Sequence, residues 1–243
     1  MKTTATATAT AAAALRARFI PFISLTAACL LAAGCALPMP DKPQRPAPYD
    51  LGLFEADAAA AAAAATDAAP SQAAQRQAAV ALAWVESPAA LQGTAMLYRL
   101  AYADGARQPR PYALARWSMP PAQMLGQRLR QHLAQSRPVV GVGENLAPIE
   151  LRLELDEFSQ LFGAEAQSEG IVRLRATAIA PQARGSARLL GQRTFEARQP
   201  AATSDAAGGA RALSEASNRL VREIAGWIDQ VAATTATTVP APR

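Results

Sequence analysis

The stretch IELRLELD, residues 149–156, has the clearest alternation in the sequence. Successive side chains of a β-strand point to opposite faces, so this pattern predicts a strand with one apolar face and one charged face. The apolar face contains Ile149, Leu151, Leu153 and Leu155, and the charged face contains Glu150, Arg152, Glu154 and Asp156. Because an arginine lies among the acids, the pattern favours a solvated sheet surface over a pair of hydrolytic carboxylates.

Other extended segments surround this strand in the sequence. Two follow it, at 170–180 and 189–197, and predict an antiparallel meander. Shorter segments precede it, at 49–53, 80–85, 96–102, 112–117 and 139–142.

Two helices are predicted from apolar residues that recur every three or four positions. The first begins after Ser118, which is expected to be its N-cap, and ends before Pro138. The second runs from Ala210 to Ala232, with an apolar stripe of Leu213, Ala216, Leu220, Ile224, Ile228 and Val231. Strands followed by a helix, twice, predict an α+β fold: a mostly antiparallel sheet with two main helices packed on one face.

The N-terminal residues are typical of an export signal. Lys2, Arg16 and Arg18 precede an apolar segment at 19–31, which is followed by small residues and Cys35. The apolar segment is shorter than the ~17–25 residues that a helix needs to cross a bilayer. A plain signal peptide that leaves a free thiol is the alternative, but a single unpaired cysteine is unusual in a secreted protein.

Composition divides the rest of the chain into segments. Residues 1–34 are predicted as the signal peptide and 35–48 as a proline-rich flexible tether. One folded domain is expected at 49–232, interrupted by an alanine-rich insertion at 56–79, and 233–243 as a disordered tail.

Charge and residue counts exclude several function classes. Removing the signal peptide lowers the net charge from +5 to +2, too little for a nucleic-acid partner. Two cysteines and one histidine, His132, cannot form a metal cluster. His132 is expected near the end of the first helix, and no Gly-x-Ser-x-Gly elbow accompanies it. We therefore expect neither an enzyme nor a cofactor or metal site.

Four segments, in this order, carry a family resemblance. They are SPAALQGTAMLYR at 87–99, YALARWSMPP at 112–121, ELRLELDEF at 150–158 and QPAA at 199–202. Together they resemble the ABC-type transport auxiliary lipoproteins, which include PqiC-like proteins, over about residues 79–232. Residues 31–35 are similar to the lipobox of these proteins, with Ala32 where leucine is usual.

The resemblance implies a non-enzymatic accessory subunit of a phospholipid transport system. Its partners would be a periplasmic Mce-domain protein and an inner-membrane transporter component. Cys35 would carry a diacylglycerol and an N-acyl chain, and Ala36 after it implies the periplasmic face of the outer membrane of a Gram-negative bacterium. In one interpretation the protein docks the inter-membrane conduit, as an oligomer. The alternatives are a periplasmic carrier with a lipid cavity between sheet and helices, and a general envelope-assembly lipoprotein without an Mce partner.

Tyr98, Arg99, Arg116 and Trp117 are the candidate contacts to a partner or a lipid. The arginines would bind lipid phosphate or partner carboxylates, and Trp117 would be an aromatic anchor. Packing is the alternative: Trp117 closes the base of the first helix and the arginines pair locally. Tyr98 and Tyr102 fit a core strand face equally well, and Trp227 is expected in the core beside the apolar stripe.

Overall fold

Three long strands follow one another in the second half of the chain. The computed structural model describes residues 44–52, 77–103, 107–143, 146–182 and 186–238. Within them β6 runs Ile149–Ala164, β7 Gln167–Pro181 and β8 Ala187–Pro200. β7 pairs antiparallel with both of its neighbours. The predicted meander is confirmed, and all four apolar residues of the alternating stretch are buried.

Five short strands extend the sheet from the other edge of β6. They are β1 Ala47–Tyr49, β2 Val80–Glu86, β3 Ala95–Leu100, β4 Arg110–Trp117 and β5 Val139–Val140. β2 pairs in parallel with the first half of β6 and β3 in parallel with its second half, giving the order β1-β4-β3-β6-β2-β5. Most register pairs are antiparallel, as predicted.

Two helices cover one face of this sheet. α1, Pro121–Ala134, lies against β2, and α2, Ala206–Thr238, lies against β7 and β8. The helices also contact each other, so they share that face. The predicted α+β architecture is confirmed. The core between the helices and the sheet contains the buried part of the α2 stripe, from Leu213 to Ile228.

The helices begin differently from the prediction. α1 starts at Pro121 after Pro120, and no side chain caps it. Ser118 is not the N-cap, because its backbone N–H donates to the Tyr49 carbonyl at 2.7 Å and so joins β1 to β4. α2 is capped by Asp205, whose Oδ1 accepts the Gly208 N–H at 2.7 Å.

Two predicted boundaries are wrong. β1 begins at Ala47, so residues 47–48 belong to the sheet and not to the tether. α2 continues to Thr238, so residues 233–238 are helical and not a disordered tail. The signal peptide, Cys35 and nearly all of the 56–79 insertion lie outside the described residues.

The chain divides into two units, at 1–44 and 45–243, and the hydrophobic core lies in the second. Neither helix, in the parts that the structure describes, combines the length and hydropathy needed to cross a bilayer.

Candidate contact sites for a partner or lipid

The four candidate contacts do not form one site. Tyr98 and Arg99 are neighbours on β3, and Arg116 and Trp117 are neighbours on β4. Because side chains alternate along a strand, each pair is divided between the helix-covered face and the open face. The structure therefore separates the aromatic members from the arginines.

Tyr98 packs among other rings. Its ring centroid lies 4.7 Å from that of Tyr112 and 5.9 Å from that of Phe162. Tyr102 lies beyond the end of β3 and is 48% exposed, so of the two interpretations left open for it the core position does not hold.

Arg99 is paired within the sheet. Its Nε and one terminal nitrogen each donate to a carboxylate oxygen of Glu157 on β6, both at 3.2 Å. Charges continue across the same face, where Arg173 on β7 donates to Glu196 on β8 at 2.6 Å. Local pairing, one of the two interpretations, therefore describes Arg99. Arg116 is exposed and forms no ion pair with any residue that the structure describes.

Trp117 belongs to the core. It is 1% exposed, and its ring meets that of Phe158 edge-on at 5.3 Å. This burial matches the packing interpretation and leaves the ring no surface for a partner. Trp227 is also in the core, at 9% exposure, edge-on to Phe195.

Glu150 is an exception to the predicted charged face of β6. It is buried, and its Oε1 accepts a hydrogen bond from Arg152 Nε at 2.7 Å. The reason is its position between Ala81 of β2 and Ile179 of β7, which flank it in register. Glu154 and Asp156 lie farther along the strand and pair with Arg175 at the surface.

A polar chain of the buried Gln160 and the half-buried Tyr112 and Ser168 lies beneath the start of α2. The Tyr112 hydroxyl donates to Gln160 Oε1 at 2.8 Å, and Gln160 Nε2 donates to Ser168 Oγ at 2.8 Å. Burial raises the pKa of Tyr112 to about 12, and the nearby Tyr98 and Asp205 add to this shift. These groups satisfy one another, so the chain is a structural feature.

Trp84 is the residue that sequence analysis missed. It lies on β2 and is 86% exposed, in contrast to the two other tryptophans. The register between β2 and β6 shifts between Leu82 and Val85, and this bulge turns Trp84 outward. The run VALAWV has no apolar–polar alternation, so the sequence offered no sign of the outward position.

An open groove of about 840 Å³ lies beside Trp84. One wall is β2 at 82–86, another is the exposed side of α1, and the rest is formed by 141–142 and β6. Its charged lining residues are Glu86, Arg130, Glu150 and Arg152.

Among the side chains that the structure places, no group of three or more His, Cys, Asp and Glu side chains able to hold a metal ion occurs. His132 is half-buried in the last turn of α1.

Known structures resemble this fold. A crystal structure of a Xanthomonas campestris protein of the DUF330 family is 17% identical, with a TM-score of 0.59, and the alignment covers 70% of this chain and 94% of that one. A hypothetical protein of Chlamydia trachomatis is 12% identical with a TM-score of 0.44, covering 65% and 99%. A lipoprotein of Neisseria meningitidis is 12% identical with a TM-score of 0.30, covering 62% and 99%. The first supports a shared fold, and the other two are too distant to add to it.

Sequence similarity identifies the family. Among curated proteins, none shows significant similarity to this chain. The family of the ABC-type transport auxiliary lipoprotein component matches residues 61–225, beginning earlier than the expected residue 79 and ending within α2. The match covers more than half of the sequence and agrees with the resemblance of the four segments. The chain belongs to the ABC-type transport auxiliary lipoprotein component family.

Proposed function

We propose that this protein is a lipid-anchored periplasmic subunit of an Mce/ABC-type phospholipid transport system, which docks the inter-membrane conduit at the outer membrane. The observation that carries the proposal is the family match over 61–225, which describes a transport auxiliary component and names no catalytic activity. Acyl chains on Cys35 would supply the anchor, since several chains on one residue hold far longer than one.

The free edge of β8 supports docking. β8 has 14 residues and, among the strands that the structure describes, pairs only with β7. A long unpaired edge offers backbone donors and acceptors to a strand of another chain. Arg188 and Arg193 are exposed there without ion pairs to described residues, and Leu189 lies exposed beside them. This edge suits an acidic strand of a partner or of a second copy.

Co-purification from envelope membranes tests the proposal. We expect the tagged, acylated chain to bring down an Mce-domain protein and an ABC transporter subunit, identified by mass spectrometry. A Cys35→Ser variant should leave the outer-membrane fraction. Recovery of another envelope complex without an Mce-domain protein would refute the proposal and support a general assembly lipoprotein.

A pair of charge reversals locates the contact. Arg188→Glu with Arg193→Glu should abolish co-purification if the β8 edge docks the partner. The matched control is Arg116→Glu, also an exposed arginine without an ion pair to described residues. Loss of the partner in the control alone would place the contact at Arg116, as the sequence suggested, and would exclude the β8 edge.

A further inference from the structure

The groove beside Trp84 exists because β2 is only partly covered along its outer edge. β5 pairs with Val80 and Ala81 and ends there, so the following residues of β2 have no strand on that side within the described part of the chain. The bulge after Leu82 then turns Trp84 outward. All five residues 82–86 line the groove.

The lining of the groove is largely apolar. Trp84 is almost fully exposed, and Val142 is 46% exposed on the facing side. Gly126 on α1 presents no side chain, and a Cβ there would lie only 3.2 Å from Val85 Cγ2, so the helix packs closely against β2 at the floor of the groove. Removing apolar surface of this kind from water favours binding. The volume of about 840 Å³ lies within the range of roughly 300–1,000 Å³ for pockets that bind one small molecule.

Charges of both signs border this apolar surface. Arg130 and Glu86 are exposed and form no ion pair with described residues, whereas Arg152 and Glu150 pair with each other. The four charges sum to zero. A ligand that matches them has an apolar chain, an anionic group for Arg130 and a cationic group for Glu86.

We infer that the groove binds a single zwitterionic phospholipid, with an acyl chain along Trp84 and Val85 and the headgroup phosphate at Arg130. The ammonium group lies toward Glu86. This inference rests on the proposed function: in a phospholipid transport system, the docking subunit would also bind the transported lipid.

Fluorescence of Trp84 measures this binding directly. Trp117 and Trp227 are buried, so Trp84 is the tryptophan that water and quenchers reach. The protein is the chain from residue 36 onward, which keeps the whole 45–243 unit and its core. The probe is dihexanoyl phosphatidylethanolamine below its micelle concentration. We expect a saturable blue shift with reduced acrylamide quenching, and Trp84→Phe should remove the shift.

Variants of the two arginines test the headgroup contact. Arg130→Gln should weaken binding about tenfold, the effect of losing one charged hydrogen bond. Arg116→Gln, the matched control on β4, should leave the affinity unchanged, and both variants should keep the wild-type circular dichroism. An equal loss in both variants would overturn the assigned phosphate contact.

Three outcomes would refute the inference. They are no saturable shift with the monomeric probe, a shift only with vesicles, and tighter binding of monomeric dihexanoyl phosphatidylglycerol. The second would instead indicate a membrane-contact face, and the third an anionic ligand. The assay contains no transporter, so its failure is separate from a failure of the envelope co-purification.

Discussion

β6, β7 and β8 have 14 to 16 residues each and pair antiparallel along nearly their full length. β1 to β5 have 2 to 8 residues each and enter four parallel pairings, two of them with β6. The open face of the meander carries ion pairs that cross from strand to strand. The short-strand half has an exposed tryptophan and an open groove.

This difference between the long-strand meander and the short strands suggests that one region mainly stabilises the fold and the other mainly offers side chains for binding. The meander pairs most of its side-chain charges internally, and what it leaves available is the backbone edge of β8 with the exposed Arg188, Leu189 and Arg193. The short strands leave side chains exposed, because their pairings end before their edges are covered. We therefore expect substitutions at the meander–helix contact to affect folding, and substitutions around the groove to affect binding.

The largest expected effect is at the contact between the meander and α2. A Cβ at Gly170 would lie 2.7 Å from the backbone nitrogen of Leu213 and 2.8 Å from the Ala212 carbonyl carbon. Gly170→Val should lower the free energy of unfolding by about 3 kcal/mol, since the helix must move away. Urea denaturation measures this. Gly163→Val, where a Cβ meets no atom within 4 Å, is the control, and equal losses would contradict the packing argument.

The next effect is at the junction between α1 and α2. Arg128 is buried and donates to Asn218 Oδ1 of α2 and to the Gly52 carbonyl after β1. Arg128→Leu should cost about 2 kcal/mol, because buried acceptors lose a charged donor. Arg130→Leu, on the same helix but exposed, should change stability by less than about 0.5 kcal/mol. Comparable losses of stability in both variants would show that the hydrogen bonds of Arg128 do not stabilise the contact between α1 and α2.

A smaller effect is expected at the start of α2. Hydrogen bonds from the Gly208 N–H and the Thr203 hydroxyl hold the pKa of Asp205 below its ordinary value of 3.8. The folded-state pKa is the lower one, so this stabilisation is present above pH 3.8 and is lost as the pH falls through the folded-state pKa.

Asp205→Ala should therefore lower the free energy of unfolding by about 1 kcal/mol at neutral pH. Asp205→Asn, which also caps, should keep most of this stability but lose its acid dependence. Unfolding curves at several pH values would decide, and an unchanged acid limb in the asparagine variant would contradict the assignment.

The link from the short strands to the meander through Arg99 should be weaker. The side chains of Arg99 and Glu157 are 26% and 21% exposed, so solvent screens the pair in part. Arg99→Gln should cost about 0.5 kcal/mol, and less in high salt. A loss above about 2 kcal/mol that is independent of salt would show that Arg99 supports more than this pair.

The smallest expected effect at neutral pH is that of Tyr112, because its hydroxyl titrates only in alkaline solution. Both lysines, Lys2 and Lys42, precede the folded unit, so tyrosines dominate its alkaline titration. Because burial raises the pKa of Tyr112 from 10.0 to about 12, its contribution to stability is present below pH 10 and is lost as the pH rises through about 12. Absorbance at the tyrosinate band should show a step near pH 12 that Tyr112→Phe removes. A step that persists in this variant would refute the assignment.

The meander could be predicted because apolar and charged residues alternate along its first strand, and this alternation indicates which side chains are buried. Ile149 to Leu155 face the core, and the antiparallel order follows from short connections. The partners of β2 and β3 could not be predicted, because nothing within a short apolar run specifies which distant strand it joins. The start of α1 was predicted wrongly for a related reason: the backbone N–H of Ser118 forms a tertiary hydrogen bond with Tyr49 of β1.

The candidate site was harder to predict than the fold. Tyr98 and Arg99, like Arg116 and Trp117, are adjacent in sequence but lie on opposite faces of their strands. In the Arg-Trp pair of the family motif, Trp117 packs in the core and Arg116 lies at the surface, so one motif serves two different purposes. Trp84 could not be found, since its exposure depends on a one-residue bulge against β6.

The parallel pairing of β2 and β3 with β6 also sets an order of assembly. Val80 meets Ile149, and Tyr98 meets Gln160, so both early strands depend on a strand made much later. During synthesis, which starts at the amino terminus, the apolar run of β2 is made before β6, the strand with which it pairs. Such non-local contacts close slowly, and strands that wait unpaired are prone to aggregate. The locally connected meander should therefore form first, and the earlier half of the chain should pack onto it afterwards.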